Sequence, residues 1–60
     1  MQAVTRLAAI LHLNGISSEQ ALDMSPSHWS VAAKEADIIL PDYNARAQAV
    51  RQLQEWENNG

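Results

Sequence analysis

Between Gly15 and Trp29 the chain carries one helix stop and two helix starts in the run GISSEQALDMSPSHW. So many end signals in so short a stretch permit little besides a tight corner between short helices. Asn14-Gly15 closes a long apolar stretch, and glycine readily takes the left-handed conformation needed just past a helix end. With Gly15 first past the cap, Ile16 is expected to fold back onto Leu11. Ser17 and Gln20 have the S-x-x-Q spacing of a capping box, with Ile16 and Ala21 placed as a hydrophobic staple around it. Ser25-Pro26 repeats the start signal, a serine cap followed by proline at the first helical position, where its missing N–H costs nothing. Met24 and Trp29 fall at the staple positions of that second start. This places Trp29 in the core and lets the pair set the angle between the two helices.

The rest of the chain supplies what such a corner packs against. From about Gln2 to Leu13, Val4, Leu7, Ala8 and Leu11 follow the i, i+3, i+4, i+7 rule, with Ala3 and Ile10 widening the face and Thr5, Arg6, His12 and Leu13 lying opposite. Ser18 to about Asp23 makes a helix of barely a turn and a half, with Ala21 and Leu22 expected inward and Glu19 at its positive N-terminal end. Pro26 to about Ala36 presents Trp29, Ala32, Ala33 and Ala36 on one side. Pro41 disfavours helix at Leu40, so Ile38-Ile39-Leu40 is expected as an extended apolar strap over the bundle. Pro41 and Asp42 open a last helix running to about Glu57, with Tyr43, Ala47, Val50 and Leu53 as its stripe, Trp56 at the edge and Asn58-Asn59-Gly60 fraying.

These readings combine into one all-α domain over residues 1–60: a compact small bundle of four helices, the second very short, with a helix-turn-helix-like corner. A domain of 60 residues buries only about 60% of its unfolded surface and is marginally stable alone. With no cysteine and two isolated histidines, neither disulfides nor a structural metal site is expected, which leaves oligomerisation as the usual remedy. No stretch approaches the roughly 18 apolar residues of a membrane span, and none reads as a signal peptide, so a cytoplasmic location is expected. Seven acidic against four basic residues give a net charge of −3, which disfavours unaided binding to a polyanion and leaves protein partners open.

Asp23, Ser25, Ser27, His28 and Ser30 supply the residue types of a hydrolase triad, but adjacent helical positions point apart and no oxyanion hole accompanies them. Ser25 is explained as a cap. His12 lacks companions with which to hold a metal. The chain is therefore not expected to be an enzyme or to hold a cofactor or metal. Arg46 stands out because it lies inside the apolar arc of the last helix, one turn after Asp42. It is either half of an intrahelical ion pair worth about 0.3 to 0.5 kcal/mol or an anchor in a protein interface. Leu13 and Val31 lie outside their own stripes, and the last helix has an apolar arc reaching from Ala45 and Trp56 round to Ala47. Candidate interface residues are accordingly Leu13, Val31, Arg46, Leu53 and Trp56.

The residues Gly15-Ile16-Ser17, Ala21-Leu22, Met24-Ser25-Pro26-Ser27, Trp29, Ala32-Ala33 and Glu35-Ala36, with Ile38, resemble the helix-turn-helix regulators of bacteria and their phages over Gly15 to Ile38, under half of the chain. The resemblance implies a recognition helix from Pro26 to Ala36, with Ser27, His28, Ser30, Val31 and Lys34 facing a DNA groove. The helix before the turn is about one turn shorter than in that pattern, and Asp23 stands where a small neutral residue is expected. Pairing the first two helices instead would bring Glu19 and Asp23 toward phosphate. The four cations, Arg6, Lys34, Arg46 and Arg51, are scattered through the sequence, whereas a DNA footprint clusters them. The favoured reading is thus a non-enzymatic interaction module, such as a phage or plasmid accessory protein, that forms a homodimer or docks on a protein partner. The alternative is a helix-turn-helix DNA-binding regulator.

Overall fold

The end signals at the corner are met by the hydrogen bonds they imply. The structure is a computed structural model and describes residues 2–39 and 42–59. Four helices, α1 (Ala3–Leu13), α2 (Ser18–Leu22), α3 (Pro26–Glu35) and α4 (Tyr43–Asn59), form an all-α bundle with no strand among the described residues. Gly15 sits at φ 74°. Its N–H donates to the His12 carbonyl at 3.0 Å, and the Ile16 N–H donates to the Leu11 carbonyl at 3.0 Å. These two bonds satisfy carbonyls that the end of α1 would otherwise leave open. At the start of α2 the capping box is complete: the Gln20 N–H donates to Ser17 Oγ at 3.1 Å and the Ser17 N–H to Gln20 Oε1 at 3.0 Å. The Ser25 hydroxyl accepts from the His28 N–H at 3.4 Å, with Pro26 opening α3.

α1 packs most extensively on α4, while contacts of α1 with α3 and of α2 with α4 complete the bundle. The core consists of Leu7, Ala8 and Leu11 from α1, Ala21 from α2, Trp29, Ala32 and Ala33 from α3, Ala36 at its cap, and Ala49, Val50 and Leu53 from α4. Trp29 is 4% exposed. Met24, its staple partner, is half-buried and packs at the edge of the same cluster with Ile16 and Val4. The alanines at 32, 33 and 36 leave room for the ring and for α1 to approach α3 closely.

Several expectations need correction. Leu22 is 66% exposed: in a helix of five residues only Ser18 and Ala21, three apart, face inward, and the next position is rotated about 100° away from them. Of the expected strap, the described part covers the core only at Ile38. Ile38 is half-buried against the core, but Ile39, where the chain bends, is 93% exposed. Leu40 and Pro41 lie outside the described residues. α3 ends through the same pair of bonds as α1, with the Ile38 N–H donating to the Ala33 carbonyl at 2.8 Å and the Asp37 N–H to the Lys34 carbonyl at 3.2 Å. Here, however, Asp37 takes the left-handed position at φ 63°, which aspartate tolerates better than most residues. Arg6 donates to Asp37 Oδ2 at 2.9 Å, fastening that turn to α1.

In α4 the buried line is Ala49, Val50 and Leu53, with Ala47 only half-buried and Tyr43 79% exposed. α4 is about 25 Å long and α1 about 16 Å, so α1 cannot cover both ends. The contact of His12 with Trp56, ring centroids 5.5 Å apart and tilted by 60°, places the cover at the C-terminal end. His12 is exposed, as expected of the polar face of α1, and its ring also meets Trp56. Asp42 does not pair with Arg46. Its Oδ1 accepts from the Ala45 N–H at 2.7 Å, so it caps α4 instead. The helix runs on to Asn59, two residues beyond the expected end.

Trp29→Ala is expected to cost about 3 to 5 kcal/mol, a large part of the stability of a domain this small. Urea unfolding followed by far-UV circular dichroism measures it, and a loss under about 1 kcal/mol would show that the ring does not organise the core.

Candidate functional site

The surface features that remain once the core is assigned gather at two apolar grooves on either side of the corner. The first, about 360 Å³, lies between α1, the corner and α3. Ile10, Ile16, Met24, Val31 and Ala32 form its apolar walls, and His28 and Glu35 stand among them. The second, about 210 Å³, lies between α2 and the N-terminal half of α4, with Leu22, Met24, Trp29, Tyr43, Arg46 and Val50 around it. Met24 borders both, so the side chain that staples α3 is also the ridge between the grooves. A third hollow, about 520 Å³, flanks the end of α3, where the exposed Ile39 stands beside Lys34 and Asp37.

Arg46 is the unusual group in the second groove. Its residue is half-buried, and Nε is enclosed with no hydrogen-bond partner among the described residues. An enclosed donor left unpaired costs about 1 to 3 kcal/mol, more where it carries charge. Asp42, the natural intrahelical partner, is committed to capping. The expectation that Arg46 lies in the apolar arc of α4 is met, and the carboxylate expected beside it is used elsewhere.

The candidate interface residues do not form one patch. Leu13 is 84% exposed and borders none of these grooves. Val31, 62% exposed, lies on the first groove and Arg46 on the second. Leu53 is 1% exposed and belongs to the intramolecular core, on the stripe it shares with Val50 three residues earlier. It offers no surface to a partner. Trp56 is half-buried and engaged with His12. The residues the sequence reading missed are Leu22 and Tyr43. Their exposure depends on which neighbours each helix finds, so no local spacing reveals it.

On α3 the candidate DNA contacts Ser27, His28, Ser30, Val31 and Lys34 are all exposed. Their chemistry is partly committed: Ser27 Oγ is 3.2 Å from Ser25 Oγ, and Ser30 Oγ donates to the Pro26 carbonyl at 3.0 Å. Lys34 is the one lysine or arginine on this helix, with Glu35 next to it, and Arg6 is occupied by Asp37. α2 rests chiefly against α4. Ser25 accepts from the backbone N–H of His28 as a cap, and no hydrogen bond joins the His28 ring to a serine among the described residues.

A further polar contact ties the two ends of the bundle. The Glu57 carboxylate accepts from the Ser18 N–H at 2.8 Å through Oε2 and from the Ser18 hydroxyl at 2.7 Å through Oε1. It meets the positive start of α2, where an anion is favourable. The backbone bond from Ser18, then the hydroxyl bond, hold the Glu57 carboxyl below its usual range, and the charge of His12 adds to them. Burial acts in the opposite direction.

Comparison with protein-family models, with curated proteins and with solved structures yields no match.

A carboxyl held below its unfolded value adds stability that is complete above about pH 4.3 and is lost as pH falls through the folded value. Glu57 should therefore contribute at neutral pH and cease to do so in acid. Glu57→Gln is expected to be less stable than the parent at about pH 7, with the difference shrinking between about pH 5 and pH 3. Urea midpoints across that range measure it, and a constant difference would mean that the charge of Glu57 plays no part.

Proposed function

We infer that the protein is a non-enzymatic interaction module that self-associates or docks on another protein through its helical faces. The observation that carries this reading is where its large exposed apolar side chains lie. Leu22 and Tyr43 border the second groove, Val31 the first and Ile39 the third. Singly exposed apolar residues are ordinary, but apolar side chains gathered at the rims of concave surfaces are what a docking helix or loop uses. A small chain without disulfides gains most from covering them. A two-fold homodimer is the commonest closed solution. Sedimentation equilibrium from about micromolar to millimolar concentration is expected to show a dimer. A monomer throughout, with melting independent of concentration, would leave docking on a foreign protein as the surviving form.

The second reading, a DNA-binding helix-turn-helix regulator, is favoured by one feature: Ser27, His28, Ser30, Val31 and Lys34 are exposed together along α3. Charge counts against it, since few cations means few counterions released and little affinity. Fluorescence anisotropy with duplex DNA at about 100 mM salt is expected to give binding no tighter than about micromolar. Sub-micromolar binding to a defined duplex, abolished by Lys34→Glu, would reverse the order of the two readings.

A further inference from the structure

We propose that the second groove is the two-fold interface of a homodimer, in which Leu22 of each copy enters the groove of the other and Asp23 of each copy pairs with the other's Arg46. The proposal rests on the self-association reading and assigns it a surface. It replaces the C-terminal half of α4, where Leu53 is core and Trp56 is occupied, with the N-terminal half and α2.

Two observations carry it. The first is the state of Arg46. The guanidinium of Arg46 stands at an apolar groove with no hydrogen bond or ion pair among the described residues. Its Nε is enclosed and out of a partner's reach, but the two terminal nitrogens are not, and a carboxylate from outside can meet them in bidentate geometry. The second is that the chain presents the complementary group beside the same groove. Leu22 is 66% exposed on the rim. Asp23 follows it, is exposed, and has no hydrogen bond or ion pair through its carboxylate among the described residues. Its chain neighbours on both sides, Leu22 and Met24, line the groove. A surface that carries a protruding leucine with an acid beside it, next to a hollow with a base, is complementary to its own two-fold copy. Tyr43, 79% exposed on the opposite rim, supplies the flat amphipathic ring common at such contacts. Each copy carries a net charge of −3, so the copies repel at long range. Two symmetric Arg46–Asp23 pairs offset that repulsion where the surfaces meet.

The two-fold arrangement has a specific signature. Arg46→Glu leaves each acid facing an acid, and Asp23→Arg leaves each base facing a base. In a heterodimer of the two variants, however, both contacts are again between opposite charges. Sedimentation equilibrium on the wild type, each variant and their equimolar mixture is the test, with circular dichroism melting to confirm that each variant folds. Each variant alone is expected to dimerise at least about tenfold more weakly than the wild type, and the mixture to return to near the wild-type affinity. Leu22→Ser, at a position outside the core, is expected to weaken association to a similar extent, and it reads out the interface should a charge variant fail to fold. A wild-type dimer that survives all three substitutions unchanged, or single variants that weaken with no recovery on mixing, would overturn this interface while leaving self-association standing. A wild type that stays monomeric would overturn both.

Discussion

Trp29 is the single aromatic ring in a buried core whose other apolar members are mainly alanine: six of the eleven buried hydrophobic residues are alanines. Alanines let helix axes come close but contribute little area each, so such a core needs one large body around which the helices converge. The ring is delivered by the local chemistry of the second start, where Ser25 caps, Pro26 sets the first helical residue and Met24 packs from outside the helix. The position of α3 against α1, and hence the rims of both grooves flanking the corner, depend on that one placement.

What was legible in the sequence was local. Gly15, Ser17 with Gln20, and Ser25 with Pro26 each encode a helix end through bonds spanning a few residues, and each is made as the spacing implies. The inward side of α3 was legible too, because one ring and three alanines mark a single face. Helix α4 was harder. Alanines at 45, 47 and 49 distribute small apolar residues around it, so its buried line is chosen by α1 and α2 as much as by its own pattern: Val50 and Leu53 of the expected stripe are buried, while Tyr43 is not. Leu22 failed similarly, since a helix of five residues has too little length to reveal a face. Of the candidate surface, Arg46 was visible as a charge in an apolar arc. The neighbours that frame it, Leu22 and Tyr43, were not.

The acidic character of the chain takes on a structural meaning. Asp42 caps α4, Asp37 occupies the left-handed turn after α3 and holds Arg6, and Glu57 sits at the start of α2. Three of the seven acids are thus engaged at helix termini. Net charge therefore overstates how uniformly negative this surface is toward a partner. Glu35 and Asp23 lie near the two grooves that flank the corner, and the local sign there decides recognition more than the total.

The bond between Ser18 and Glu57 joins positions 39 apart in the chain. α2 is too short to persist alone, since the cost of starting a helix is not recovered in five residues. Its survival is bound to the last turn of α4, a segment that in most proteins frays freely. Those two stretches are therefore expected to act as one opening unit despite their distance in sequence, the short helix losing its anchor whenever the tail loosens, with the backbone amides of both exchanging at a common rate. The corner is thus held at its α3 side by an apolar contact within the core and at its α2 side by a polar contact at the surface.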